Sequence, residues 1–122
     1  MAAQVNLTSK VQPTSITTKS YTIAVAASFT EEPKTSKIAV PIGGSLLLSC
    51  EAEGNPPPTT SWSKDEHALD ESRSILRQNN AVFLIANFRS DDTGRYICRV
   101  YNGIGQELHR TFSVSVRGEF ML

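Results

Sequence analysis

The sequence lacks a hydrophobic run of about 18 residues, the length that a membrane-spanning helix requires. Its first residues, Met1 to Asn6, also lack the basic and then apolar pattern of a secretory signal peptide. Nothing along these 122 residues therefore tethers the molecule to a membrane or addresses it to a compartment. The chain is either an intracellular protein or an excised piece of a longer one, and we expect the second.

Clusters of one charge sign are missing as well. Twelve Lys and Arg residues balance twelve Asp and Glu residues, so the formal net charge is zero. The basic residues are scattered singly among acids, serines and threonines. Proteins that bind nucleic acid concentrate basic side chains to neutralise phosphates. Nucleic acid and anionic membranes are therefore poor candidates as partners.

Residues that carry catalytic or metal chemistry are few. Cys50 and Cys98 are too few for a disulfide-rich miniprotein, and we do not expect them to form a four-ligand zinc site with His67 and His109. Both histidines fall on a predicted turn or an outer strand face, so we interpret them as solvated. No serine lies in a Gly-x-Ser-x-Gly elbow. We therefore predict no enzymatic activity, no metal, no cofactor and no small-molecule substrate.

From Phe29 onward, short apolar runs alternate with turn residues, which is the pattern of an all-β domain. The predicted strands include residues 38–41, 45–50, 60–63, 74–77, 82–85, 95–101 and 111–116. No segment sustains the period of about 3.6 residues that marks a helix. Three consecutive prolines at 56–58 interrupt the pattern, and we interpret them as a loop of the domain rather than as a polyproline ligand.

The composition changes near residue 28. Residues 1–27 are rich in Ser, Thr and Ala, and we predict that they form a flexible linker or tail. The alternation of apolar and polar residues from Tyr21 to Val25 also fits a short strand at the end of a preceding domain. We assign residues 28–117 to the folded domain and residues 118–122 to a C-terminal tail.

Three features of the region 28–117 resemble the immunoglobulin superfamily. Cys50 is followed by Trp62, and Cys98 ends the run Asp92-Thr93-Gly94-Arg95-Tyr96-Ile97-Cys98. The stretch Gly54-Asn55-Pro56-Pro57-Pro58 after Cys50 is similar to the I-set within that superfamily, and so is the later Asn102-x-x-Gly105. The resemblance implies a two-sheet antiparallel immunoglobulin-like sandwich with a disulfide between Cys50 and Cys98 and with Trp62 packed against it.

The same resemblance assigns structural roles to four further residues. The hydroxyl group of Tyr96 is expected to hydrogen-bond back to the backbone and to fix the corner before its strand. Asp92 is expected to pair with an arginine at the start of the fourth strand, here Arg73. Gly94 permits a tight turn that a Cβ atom would hinder.

Alternation assigns the side chains to two faces, because successive residues of a strand point in opposite directions. The residues predicted to point inward are Leu46, Leu48, Cys50, Trp62, Phe83, Ile85, Tyr96, Cys98, Val100, Val114 and Val116. Those predicted to point outward on the strands around Trp62 and Cys98 are Ser61, Ser63, Ile97, Arg99, Tyr101, Thr111 and Ser113. Leu47 and Leu84 are predicted to point away from the core on the other sheet.

The outward residues Ile97, Arg99 and Tyr101 form a stripe that we predict to be exposed and to contact a protein partner. Tyr and Arg are enriched in protein interfaces. The adjacent hairpin, which carries Ile104 at its tip, is the other candidate contact, because Ile104 is expected to have few neighbours within its own domain.

I-set domains commonly occur as tandem modules in the ectodomains of receptors and adhesion molecules. The resemblance therefore implies a protein-recognition module at the cell surface, with neighbouring immunoglobulin-type domains and a homophilic or heterophilic partner. The complete cysteine pair supports an extracellular setting, because disulfides persist outside the cytosol. The alternative is a structural module of an intracellular muscle or cytoskeletal scaffold of the titin or palladin type, cytoplasmic or sarcomeric and with reduced thiols.

Overall fold

The computed structural model describes residues 23–32 and 36–118. These residues form ten strands, a single 3-10 turn at Ser90–Asp92 and no α-helix. The strands are β1 (Val25–Phe29), β2 (Lys37–Val40), β3 (Leu46–Ser49), β4 (Ala52–Asn55), β5 (Thr59–Lys64), β6 (His67–Ala68), β7 (Ile75–Arg77), β8 (Val82–Ile85), β9 (Gly94–Tyr101) and β10 (Leu108–Val116).

The first layer of the molecule is a five-stranded sheet in the order β2-β10-β9-β5-β6. Its centre is β9, which pairs with β5 on one side and with β10 on the other, both antiparallel. The edge strand β2 pairs with β10 in the parallel sense. Because β9 and β10 are the longest strands, this sheet supplies the larger rigid face of the molecule.

The second layer is built from the antiparallel sets β3-β8-β7 and β1-β4. Backbone hydrogen bonds join the two sets where β3 passes into β4. The Cys50 N–H donates to the carbonyl of Ala81 at 2.8 Å, and the Thr30 N–H donates to the carbonyl of Glu51 at 3.0 Å. Strand β4 therefore continues β3, and the predicted two-sheet sandwich is confirmed.

The chain changes layers between β1 and β2, and it enters the sandwich earlier than predicted. Strand β1 begins at Val25, and Ala27 is buried in the core, so the predicted boundary at residue 28 lies inside this strand. Residues 1–22 of the predicted tail lie outside the described residues, and so do residues 119–122.

The core lies between the two layers and contains nearly all of the side chains predicted to point inward. Val116 differs from the others because it is only partly buried, at the end of β10. Four further residues of the core are buried although alternation did not predict it, and these are Ala27, Val40, Phe88 and Phe112.

Candidate functional site

The disulfide between Cys50 and Cys98 joins the two layers, with 6.6 Å between the Cα atoms. Trp62 lies opposite Cys98 across β5 and β9. Its ring centroid is 5.4 Å from that of Phe83 and 6.1 Å from that of Phe112. Such aromatic contacts add to the burial of apolar surface. The strands that carry the candidate binding face are therefore anchored from beneath.

Tyr96 fixes the corner that leads into β9. Its hydroxyl group donates a hydrogen bond to the backbone carbonyl of Asp92 at 2.5 Å, inside the protein. Burial raises the pKa of Tyr96, so the hydroxyl stays protonated and keeps donating. The start of β9 is thereby held against the turn before it.

Asp92 is a buried carboxylate that receives several hydrogen bonds. The side chain of Arg73 pairs with it, as the resemblance implied, and the backbone N–H of Arg89 donates to it at 2.8 Å. Burial opposes ionisation, but the hydrogen bonds from Arg73 and Arg89 outweigh it and lower the pKa of Asp92 below the ordinary value. The carboxylate is therefore charged in the folded protein at neutral pH.

This lowered pKa predicts a loss of stability in acid. A carboxyl group whose pKa is lowered by folding contributes its full stabilisation at pH values above its pKa in the unfolded chain, which is about 3.9. This stabilisation is lost as the pH falls through the pKa of the group in the folded protein. We therefore expect the urea midpoint of the wild type to decrease steeply below about pH 4. The variant Asp92→Asn should be less stable at pH 7 and should lose less stability between pH 5 and pH 3. Equal slopes for both proteins would contradict the prediction.

Gly94 is required by the close approach of the Asp65 and Lys64 side chains as well as by the backbone turn. Its φ is +152°, and a Cβ atom would lie 2.6 Å from Oδ2 of Asp65 and 2.9 Å from Cε of Lys64. The other oxygen of Asp65 accepts the backbone N–H of Arg95 at 2.9 Å. The turn between β5 and β6 is thereby held against the start of β9.

The outer face of the five-stranded sheet presents Arg99 and Tyr101 to solvent. The guanidinium group of Arg99 lies 3.8 Å from the carboxylate of Glu107 and 3.5 Å from the hydroxyl of Ser63. Tyr101 is 41% exposed at the end of β9. Together, Arg99 and Tyr101 are the exposed part of the predicted stripe, and we call them the Arg99–Tyr101 face.

The prediction that Ile97 belongs to the exposed stripe is wrong. Ile97 lies on the outer face of β9 but is only 7% exposed. It is flanked by Ser63 on β5 and Thr111 on β10. Its position on an interior strand, with β5 and β10 on either side, keeps most of its surface from solvent. Ile97 is therefore not available to a partner.

The hairpin between β9 and β10 is tied to its surroundings by the side chain of Asn102. Its amide donates to the carbonyl oxygens of Val25 at 2.8 Å and Pro56 at 2.9 Å, and its own oxygen accepts the N–H of Ile104 at 3.1 Å. Ile104 is partly buried rather than clear of its own domain, which corrects the prediction that it has few neighbours.

Arg110 and Phe29 form a contact that no sequence pattern indicated, at the edge where the chain passes from one layer to the other. The guanidinium carbon of Arg110 lies 3.8 Å from the ring centroid of Phe29, and Nη2 donates to the carbonyl of Glu31 at 2.8 Å. Burial lowers the pKa of Arg110. This cation–π contact joins β10 of one layer to β1 of the other.

Metal-binding clusters and membrane-spanning helices are absent from the described residues. Within residues 23–32 and 36–118, no cluster of three or more His, Cys, Asp or Glu side chains is arranged to hold a metal ion. None of the helical segments described there is long and apolar enough to span a bilayer.

A sandwich of two layers with a disulfide between them, a tryptophan beside it and a tyrosine corner defines the immunoglobulin class of domains. The model of the immunoglobulin I-set domain matches residues 27–116 of this chain. The chain belongs to the immunoglobulin I-set family. Domains of this family are generally non-enzymatic modules.

The relatives include a receptor-like protein and a titin homolog. Fibroblast growth factor receptor-like 1 of Gallus gallus is 36% identical over 95 residues, which is 72% of this chain and 18% of that protein. The titin homolog of Caenorhabditis elegans is 39% identical over 71 residues, 55% of this chain and 0% of that protein. The chain thus spans only a small part of both relatives.

Among solved structures, the tandem Ig repeats of Dlar match with a TM-score of 0.65 and 29% sequence identity. The match covers 79% of this chain and 50% of that chain. The fold and the class of module therefore agree between sequence relatives and structural relatives.

Proposed function

We propose that this chain is a protein-recognition domain of a cell-surface receptor or adhesion protein and that it is not an enzyme. The receptor-like relatives and the disulfide between Cys50 and Cys98 support an extracellular setting. The tandem repeats of the Dlar structure support neighbouring immunoglobulin-type domains in the parent chain. The partner is a protein, and neither nucleic acid nor a small-molecule substrate is expected.

The observation that carries this proposal is the Arg99–Tyr101 face. Both side chains stand on β9, an interior strand whose inward side is anchored by the disulfide and by Tyr96. Tyr and Arg are the residue types that most often dominate the binding energy of an interface. A rigid backbone beneath them reduces the entropy lost when a partner binds.

The test measures binding of the fluorescent tetramerised domain to intact cells from the source organism. We expect the double variant Arg99→Ala/Tyr101→Ala to bind at least about 30-fold more weakly, since truncation of such a residue costs about 2 kcal/mol or more. Its melting temperature should be unchanged, because both side chains are exposed.

The matched control is Arg117→Ala, which removes an exposed arginine beyond the end of β10 and should leave binding unchanged. A double variant that folds normally and binds as tightly as the wild type would eliminate the Arg99–Tyr101 face. The loop at Pro56 and the second layer would then be the remaining candidate binding surfaces.

A second candidate function is that of a structural module in an intracellular muscle or cytoskeletal scaffold. The similarity to the titin homolog favours it. The two candidates differ in compartment and therefore in the state of Cys50 and Cys98. Thiol titration of the protein from its native source, denatured without reductant, should find no free thiol if the domain is extracellular. Two free thiols per chain would support the intracellular candidate.

A further inference from the structure

A row of apolar side chains crosses the outer face of the second layer. Leu47 of β3 pairs with Leu84 of β8, which in turn pairs with Ile75 of β7. Leu47 is 60% exposed, Ile75 is 47% exposed and Leu84 is half-buried. Because Leu48 and Phe83, the next residues along their strands, are fully buried, the row faces solvent. The opposite sheet has no comparable apolar row in its described residues.

The β3 end of this row is acidic. Glu31, Glu32 and Glu51 border a shallow depression beside Leu47. Arg110 also borders it, but its guanidinium group is stacked on a ring of the neighbouring strand β1. Arg110 also offsets part of the negative charge of Glu32, whereas Glu51 forms no ion pair with any described residue.

The β7 end of the row is basic. Arg77 follows two positions after Ile75, lies on the same side of the sheet and is exposed. Within residues 23–32 and 36–118, neither Arg77 nor the three glutamates at the other end take part in an ion pair. The face therefore has an apolar centre with opposite charges at its two ends.

We propose that the face formed by Leu47, Leu84 and Ile75 binds the same face of a second copy of this chain. A two-fold axis along β8 places β3 of one copy over β7 of the other. Leu47 then meets Ile75 of the second copy, and Leu84 meets its own equivalent. Such a self-complementary contact is the usual form of a homodimer interface.

The same rotation aligns the charges. Arg77 shares a row with Ser49 across the three strands, so it comes to lie over Ser49 of the second copy. Glu51 follows Ser49 by two residues in the direction of β3. The carboxylate of Glu51 in the second copy is therefore within reach of the Arg77 side chain. Each dimer therefore contains two equivalent Arg77–Glu51 contacts, one at each edge. Opposite charges in this arrangement also fix the register of the two copies.

The contact is small. Three strands about 4.8 Å apart offer less than the roughly 800 Å² per partner that a stable complex buries. Self-association is therefore weak for the isolated domain and becomes effective when several copies are held together on a surface. The proposed dimer forms through the second layer, whereas the Arg99–Tyr101 face lies on the first layer. The dimer therefore does not depend on the function proposed above.

The test is sedimentation equilibrium of the purified chain from about 10 μM to about 1 mM, a range suited to a weak complex. We expect the wild type to dimerise in this range and Leu47→Asp to remain monomeric. Arg77→Glu and Glu51→Lys should each lower the association constant at least about tenfold, because each places like charges together at both edges. An equimolar mixture of these two variants should dimerise again, since every reversed charge then meets its complement.

The matched control is Arg117→Glu, which reverses an exposed charge beyond the end of β10 and should leave self-association unchanged. Circular dichroism of each variant checks that the fold is retained. A wild type that stays monomeric at about 1 mM would overturn the proposal. So would a dimer that persists in Leu47→Asp, or a mixture of the two charge variants that remains monomeric.

Discussion

Replacement of both Cys50 and Cys98 by alanine is expected to lower the free energy of unfolding by about 4 kcal/mol. The disulfide joins positions 48 residues apart, and closing a loop of this length removes much of the entropy of the unfolded chain. A domain of this size has a total stability of only about 5–15 kcal/mol. The double variant should therefore be close to the limit of folding, and urea denaturation followed by circular dichroism measures the loss.

The reduced wild type provides the control for this prediction. It keeps the side chains of Cys50 and Cys98 and lacks only the covalent bond, so its urea midpoint should lie close to that of the double variant. If reduction leaves the midpoint of the wild type unchanged, the disulfide contributes little, and a reducing compartment would suit the domain equally well. The measurement therefore also bears on the choice between the two candidate functions.

Truncation of Trp62 to alanine is expected to cost about 3–5 kcal/mol. The indole is 8% exposed and packs against Phe83 and Phe112, so its removal leaves a cavity between the layers. The variant also loses the hydrogen bond from Nε1 to the carbonyl of Asn80, which is 2.7 Å long. Unfolding must be followed by circular dichroism, since Trp62 is the single tryptophan of the chain.

Trp62→Phe is the matched control, because it keeps a ring in the cavity but loses the Nε1 donor. Its cost should be clearly smaller than that of Trp62→Ala and should include about 1 kcal/mol for the hydrogen bond. Equal losses for the two variants would indicate that the polar contact, rather than packing of the ring, dominates at this position.

The residues that define the fold were predictable because their geometry is set locally or by fixed spacing. Cys50, Trp62 and Cys98 occur at spacings typical of the family, and the run before Cys98 places Tyr96 two residues from the disulfide. Alternation then assigns their neighbours to the inner face with few errors. Asp92 was predictable in the same way, although its partner Arg73 came from the resemblance and not from the spacing itself.

The exposure of a side chain was harder to predict than the face of the sheet on which it lies. Period-two alternation placed Ile97 correctly on the outer face but says nothing of how far its neighbours rise around it. Ile97 and Arg99 lie on the same face of the same interior strand, yet Ile97 is buried and Arg99 is exposed. The partial burial of Ile104 was likewise not predicted, because a position at a hairpin tip does not by itself fix how exposed the side chain is.

Contacts across the layers were the least predictable. Arg110 and Phe29 are separated by most of the domain, and neither has a local pattern that indicates the other. The pairing of β1 with β4 was missed for a related reason. Val25 and Ala26 belong to a stretch whose Ser-, Thr- and Ala-rich composition resembles that of a linker, and only the partner strand makes it part of a sheet.

The amide of Asn102 has a consequence for the thermodynamics of any complex formed at that end of the sandwich. It joins the hairpin, the first strand and the proline loop through one side chain, so these three segments are already ordered before a partner arrives. A partner that fits them as they stand avoids an ordering cost of about 0.5–1.5 kcal/mol for each side chain that would otherwise be immobilised. A partner that requires the hairpin to move must first break two hydrogen bonds, so it binds less favourably than a partner that fits the ordered segments. The side chain of Asn102 therefore narrows the range of molecules that bind there.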